Sequence, residues 1–261
     1  MAQSSTAINA HQAENTVYLI TGASNGIGAA MLQMLLSRKN TTVIALHRAG
    51  SPLPTVPTNE VGTNSALLGY HYDASLSEDE VGQLVKGIST GHGIDHIDVV
   101  IACAGMANGM KRVSDTAWAD VQQHLDVNFG GPLKLFQAVK PFLSKPGSKF
   151  ILISSSVGSL SSFDPVPGSL AYGASKAAAN YMMARMNFEE ASNGLVAVAI
   201  HPGWVRTKMG THAAVEWGFS PDIVPLTAEQ SAAAVLKIID GATVDSTGGK
   251  FLAHDGSELK W

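Results

Sequence analysis

Apolar runs of strand length alternate along this chain with longer stretches of helical spacing. The runs are VYLI (17–20), TTVIAL (41–46), LLGYHY (67–72), DVVIACA (98–104), KFILIS (149–154), LVAVAI (195–200) and GKFLA (249–253). Several are almost continuously apolar, as parallel strands covered on both faces must be. Helical spacing occupies the intervals near 27–38, 77–90, 115–143, 171–192 and 227–239. This βαβ alternation predicts an α/β fold: a doubly wound, seven-stranded parallel sheet with helices on both faces and right-handed crossovers. Residues 16–261 then make one domain behind a polar, flexible leader at 1–15. The crossover AGSPLPTVPTNEVGTNS holds three prolines in six residues, which predicts a loop or a stunted helix there. The stretch MGTHAAVEWGFSPDIVP lacks clear periodicity and reads as an irregular substrate lid over about 208–226.

Composition narrows the class. With 45% hydrophobic and 15% charged residues, the chain can bury a large core. A net charge of −4 without any basic run gives nucleic acid or an anionic membrane no electrostatic hold. Cys103 is the single cysteine, so no intrachain disulfide can form. The first residues lack the basic and apolar regions of a signal peptide, and the apolar stretch from 17 to 36 is broken by polar residues and glycines. A soluble, cytoplasmic protein is expected.

TGASNGIG (21–28) follows the first strand and opens the first helix. Gly22, Gly26 and Gly28 would let the backbone turn tightly and approach a pyrophosphate at a helix N-terminus, as in a Rossmann fold. A glycine turn without ligand is the plain alternative. The second strand ends in ALHRAG, with no acid to grip a ribose 2′-hydroxyl. Arg48, with His47 beside it, suits a 2′-phosphate, although a solvated arginine would look the same. NADP(H) is therefore the expected cofactor.

In LAYGASKAAANYMM, Tyr172 and Lys176 stand four apart, on one helical face with Cβ atoms roughly 5–6 Å from each other. A tyrosine with an ordinary pKa of about 10 is a poor acid–base group at neutral pH. A lysine charge, with that of an oxidised nicotinamide, is expected to lower it. Three serines, Ser154, Ser155 and Ser156, end the fifth run, and Asn128 followed by FGGP is out of place in a helix.

Together TGASNGIG, DVNFGG, ISSSVG, YGASK and HPGWVRT resemble, in content and order, the short-chain dehydrogenase/reductases. The resemblance runs from about residue 16 onward. It implies that Tyr172 donates a proton, that Lys176 supports it and binds the nicotinamide ribose, and that Asn128 holds a relay water. Alignment on ISS-x-x-G selects Ser155 as the hydroxyl facing the substrate oxygen. It also implies that Gly22, Ser24, Asn25, Gly26, Ile27, Gly28, Ala104, Gly105, Pro202, Gly203, Val205 and Thr207 line the cofactor, and that Asp73 meets the adenine. Ser155, Phe163, Trp204, Met209 and Trp217 would line an apolar, aromatic-tolerant substrate pocket. The departures are Asn25 where NADP-preferring relatives often carry a basic residue, Ala102 and Cys103 in place of two asparagines, and about four extra residues between Ser155 and Tyr172, in SLSSFDPVPGSL.

The remaining candidates read as structural. His92 and His96 flank a glycine bend without a third ligand, so no metal is expected. Cys103 reads as a buried filler, and His201 as structural. The alanines after Lys176 suit close packing, and relatives use this helix and the preceding long one to form dimers or tetramers, so a homodimer or homotetramer is expected. Within the family the ending GGKFLAHDGSELKW and HPGWVRTKMG are most similar to the fungal norsolorinic acid ketoreductase branch and to sniffer-type carbonyl reductases. The function this implies is NADPH-dependent reduction of a small-molecule ketone, on an aromatic or polyketide-like substrate. The alternatives are a non-catalytic, dinucleotide-sensing protein, disfavoured by the four retained catalytic residue types, and alcohol oxidation, disfavoured by Arg48.

Overall fold

The computed structural model describes residues 4–162 and 168–261. Its centre is one sheet of nine strands in the order β1-β4-β3-β2-β5-β6-β7-β8-β9. The seven predicted runs form β2 (Thr16–Thr21), β3 (Thr41–His47), β4 (Ala66–His71), β5 (Val99–Ala102), β6 (Lys149–Ile153), β7 (Val196–His201) and β8 (Phe251–Ala253). All of these pair in parallel. Their side chains alternate between two cores. Val17, Leu19, Phe150, Leu152, Ala197 and Ala199 enter one, and Tyr18, Ile20, Ile151, Ile153, Val198 and Ile200 the other. Both faces are apolar, which is why the runs are continuous in sequence.

The first core is closed by α2 (Glu78–His92), α4 (Gly131–Val139) and α5 (Leu170–Glu190), and the second by α1 (Gly26–Leu36) and α7 (Ala228–Gly241). Ser77 caps α2 in a reciprocal box with Glu80, and Thr227 and Gln230 do the same for α7. The proline-rich crossover is a loop with one short 3-10 turn, Thr58–Glu60, as its prolines demand.

Two strands correct the seven-stranded reading. β1 (Ser4–Ile8), within the stretch read as a flexible leader, pairs antiparallel with β4, and β9 (Glu258–Leu259) pairs antiparallel with β8. Each covers an edge that would otherwise present unpaired backbone groups. Asn9 donates to the Ser65 carbonyl at 2.7 Å, and Asn15 to the Asn64 carbonyl at 2.8 Å, tying the β1–β2 connection down. A third correction falls in the lid. The interval read as irregular contains α6 (Lys208–Glu216), capped by Thr207, whose hydroxyl accepts the Gly210 N–H at 3.1 Å. Its buried residues are only Ala213 and Ala214, too small to print an apolar stripe on the sequence.

The predicted helix at 115–143 divides into α3 (Trp118–Leu125), a wide π turn (Asp126–Gly130) and α4. Pro132 has no N–H to give the carbonyl of Asn128, so the α-helical ladder must break there. No described helix is long and apolar enough to cross a membrane.

Candidate active site

Chain direction across the sheet reverses between β2 and β5, and in such sheets the ligand crevice opens beyond the C-terminal strand ends at that point. The glycine turn lies there. Gly22 and Gly26 adopt φ of 70° and 55°, open to glycine at little cost. A Cβ on Gly22 would meet the Ala104 Cα at 2.9 Å, and one on Gly26 the Thr207 Cγ2 at 2.8 Å. Three loops thus converge on a cradle that side chains would fill. Asn25 begins α1 without a capping side-chain bond and pairs with the Ser24 hydroxyl at 3.1 Å instead, so the first N–H groups of α1, including that of Ile27, are left for an anion. The cradle fits a dinucleotide pyrophosphate.

A Cβ on Gly28 would lie 2.2 Å from the Gly22 carbonyl oxygen, which is backbone and cannot swing aside. Gly28→Ala is expected to cost about 1–3 kcal/mol and to lower Tm by roughly 3–10 °C. Calorimetry that found Tm unchanged would show that the turn relaxes freely.

At the adenosine end, Arg48 is exposed just beyond β3. Asp73 lies beyond β4, its carboxyl held below the usual range by hydrogen bonds from Ser75 and then by the Arg48 and Lys134 charges. His47 departs from expectation. Its ring is 4% exposed, and Nδ1 pairs with the carbonyls of Arg48 at 3.1 Å and Ser51 at 2.9 Å. It supports the loop carrying Arg48, because the strand aims it inward.

The backbone at Cys103 and Ala104 is held from β2. Thr21 Oγ1 accepts the N–H groups of Cys103 at 3.1 Å and Ala104 at 3.0 Å. Burial pushes the Cys103 thiol up to about 11, despite the Lys176 charge, so it is no nucleophile.

The reacting candidates are brought together from β6, the π turn and α5. Ser155 is 7% exposed, its hydroxyl accepts the Val157 N–H at 3.3 Å, and its side chain lies near enough to the Tyr172 phenol to lower that group's pKa. Ser154 is committed elsewhere, donating to Asn180 Oδ1 at 2.5 Å. Lys176 is 4% exposed, its Nζ donating to the Ile153 carbonyl at 2.8 Å and standing 5.8 Å from the Tyr172 ring centre. Burial pushes its ammonium down to about 8. Burial likewise raises the Tyr172 pKa, and the Ser155 side chain offsets this only in part. Fully buried Asn128 accepts the Met106 N–H at 2.9 Å and donates from Nδ2 to the Met106 carbonyl and Ser175 Oγ, each at 2.9 Å. Gly105 sits beside it, where an added Cβ would meet Asn128 Oδ1 at 3.1 Å.

Beyond β7, Pro202 is tied by its carbonyl to Ser231 Oγ at 2.7 Å, and Gly203 turns with φ of 82°. Val205 bridges to Leu226, which closes the base of the lid. Trp204 packs edge-on to Trp217 at 5.8 Å and to Phe219 at 6.2 Å. The indole N–H groups donate to the carbonyls of Gly210 and Gly168, at 3.0 and 3.2 Å. Met209 is partly exposed on α6, and Phe163 lies outside the described residues. Sequence reading missed His124, whose Nδ1–H donates to the Asp120 carbonyl at 2.7 Å while Nε2 accepts the Asn108 N–H at 3.3 Å, pinning the loop after β5. It also missed Asn180, whose signal was its four-residue spacing from Lys176.

A glycine cradle at the switch point and a serine, tyrosine and lysine gathered beside it define a dinucleotide-dependent oxidoreductase site. The short chain dehydrogenase family model matches residues 16–216, and the chain belongs to that family. It is 36% identical over 254 residues to the norsolorinic acid ketoreductase of Aspergillus parasiticus, covering 95% of this chain and 92% of that protein. A short chain dehydrogenase of Penicillium aethiopicum is 37% identical, covering 93% of this chain and 98% of its own length. Among solved structures, the NADPH-bound carbonyl reductase from chicken fatty liver superposes with a TM-score of 0.80 at 24% identity, covering 95% of this chain and all of that one. The carbonyl reductase Sniffer of D. melanogaster does so with 0.78 at 22%, at the same coverage.

Proposed function

We propose that the protein is an NADPH-dependent ketoreductase, reducing a ketone on an aromatic or polyketide-like small molecule to the alcohol. The observation that carries this reading is the Ser155–Tyr172 hydroxyl pair with the Lys176 ammonium behind it. NADPH, when bound, supplies the hydride. The chain's own part is to fix the carbonyl and manage the proton. Ser155 donates to the substrate oxygen, where negative charge develops. Tyr172 gives that oxygen its proton, and its raised pKa keeps the phenol protonated at neutral pH, the form that reduction requires. Lys176, directed by the Ile153 carbonyl, supports the phenol, and Asn128 holds the loop at Met106 against α5 in the proton relay. Trp204, Trp217 and Met209 offer an apolar, aromatic wall, and the ketoreductase name borne by the Aspergillus relative favours a ketone as substrate.

NADPH consumption against a panel of aromatic and aliphatic ketones tests the reading; no turnover with any aromatic ketone would oppose it. The cofactor is tested separately. Arg48→Ala is expected to raise KM for NADPH roughly tenfold to a hundredfold while leaving KM for NADH alone, as loss of a charged phosphate contact does. An equal change for both cofactors would exclude a 2′-phosphate role. Exposed Trp118 on α3 and Tyr181 and Phe188 on α5 support a homo-oligomer joined through these helices, which sedimentation can read.

A further inference from the structure

Asn180 stands one helical turn beyond Lys176, which stands one turn beyond Tyr172, so α5 carries all three at intervals of four along one face. It is 3% exposed. Oδ1 accepts the Ser154 hydroxyl at 2.5 Å, and Nδ2 extends to the Gly158 carbonyl at 3.5 Å. These partners lie on either side of Ser155 in the chain. Nearby holds act on the same turn. Lys176 takes the Ile153 carbonyl at 2.8 Å, and His201 Nδ1 at the end of β7 accepts the Ser156 N–H at 3.2 Å. A Cβ on Gly158 would lie 2.7 Å from that of Lys176, so the turn rests directly on α5.

We propose that Asn180 is a positioning residue for ketone reduction, gripping Ser154 and Gly158 from α5 so that the Ser155 hydroxyl is set against that of Tyr172. The proposal rests on the reading of Ser155 and Tyr172 as the reacting hydroxyls. An oxyanion donor lowers a barrier only when it is placed before the charge develops. Ser154, Ser155 and Ser156 are interchangeable in local chemistry. A buried amide that accepts one serine hydroxyl selects which of its neighbours is left to face the substrate. Ser154 is itself buried at 2% exposure, and an apolar residue at 180 would strand its hydroxyl.

The test compares Asn180→Ala, Ser154→Ala, Ser155→Ala and their pairwise combinations, measuring kcat, ketone KM, NADPH Kd and Tm with a responsive aromatic ketone. Asn180→Ala is expected to lower kcat roughly five- to twentyfold, the worth of one hydrogen bond, with NADPH Kd within about twofold of the parent. Ser154→Ala removes the same bond from its other end, so it should do the same, and the pair should be no worse than either alone. In the Ser155→Ala background, Asn180→Ala should change nothing further. A lowered Tm with kcat within about twofold of the parent would make Asn180 merely structural and overturn the proposal. So would a kcat loss that multiplies with that of Ser155→Ala. If Asn180→Ala fails to fold, Ser154→Ala and its cycle with Ser155→Ala decide by the same criteria. An undiminished kcat in Ser155→Ala alone would refute the Ser155 role itself and the proposal with it, which separates the two failures.

Discussion

Tyr172→Phe is expected to lower kcat for ketone reduction by about a thousandfold while leaving NADPH affinity within about twofold. The variant keeps the ring and its place beside the Lys176 ammonium, 5.8 Å from the ring centre, so packing is conserved. It removes one oxygen, the one whose pKa the Ser155 side chain lowers. A positioned general acid is worth about 10²–10⁴ in rate. Ser155 also loses the neighbouring phenol oxygen, which places the loss toward the middle of that range. Single-turnover NADPH oxidation isolates the chemical step from product release. A variant that turned over within tenfold of the parent would require another proton donor.

Lys176→Met carries the second large effect, in two readouts. Turnover is expected to fall by about 10²–10⁴, since the cation beside the phenol is gone. Stability should change in its pH dependence. Burial depresses the Lys176 pKa from 10.5 to about 8, so below pH 8 the native state carries a poorly solvated charge that the unfolded chain solvates freely. Between those two values the unfolded chain binds more protons than the native one, and stability rises with pH. The native protein should gain about 2 kcal/mol from pH 7 to pH 10 through this group, and lose it again as pH falls through 8. Urea unfolding of parent and variant across that range reads the difference. Identical pH slopes would show that the ammonium is better solvated than its 4% exposure implies.

How far the sequence could be read follows from where each energy term resides. The seven parallel strands were legible because both faces of each are buried, and burial on both faces writes a continuous apolar run. β1 and β9 were not, because short edge strands gain most from backbone pairing with a neighbour far along the chain. α6 was hidden because alanines are what it buries. The break at Asn128 was visible in FGGP, since Pro132 removes a donor wherever it lies; that the break is a π turn depended on α3 and α4 both staying docked.

The site divides along the same line. Tyr172 and Lys176 share a face through helical periodicity alone, and the glycines of TGASNGIG announce a close backbone approach through their missing Cβ atoms. These are local properties, and the sequence by itself determined them. Only the packing of α5 against the end of β6 brings Asn180 to the Ser154 hydroxyl, and only the fold of the loop after β3 sets the carbonyls of Arg48 and Ser51 against His47. Burial by the surrounding elements likewise raises the Tyr172 pKa. Desolvation depends on every element surrounding a group, and the contacts that impose it join residues whose neighbourhood exists only once the chain has folded.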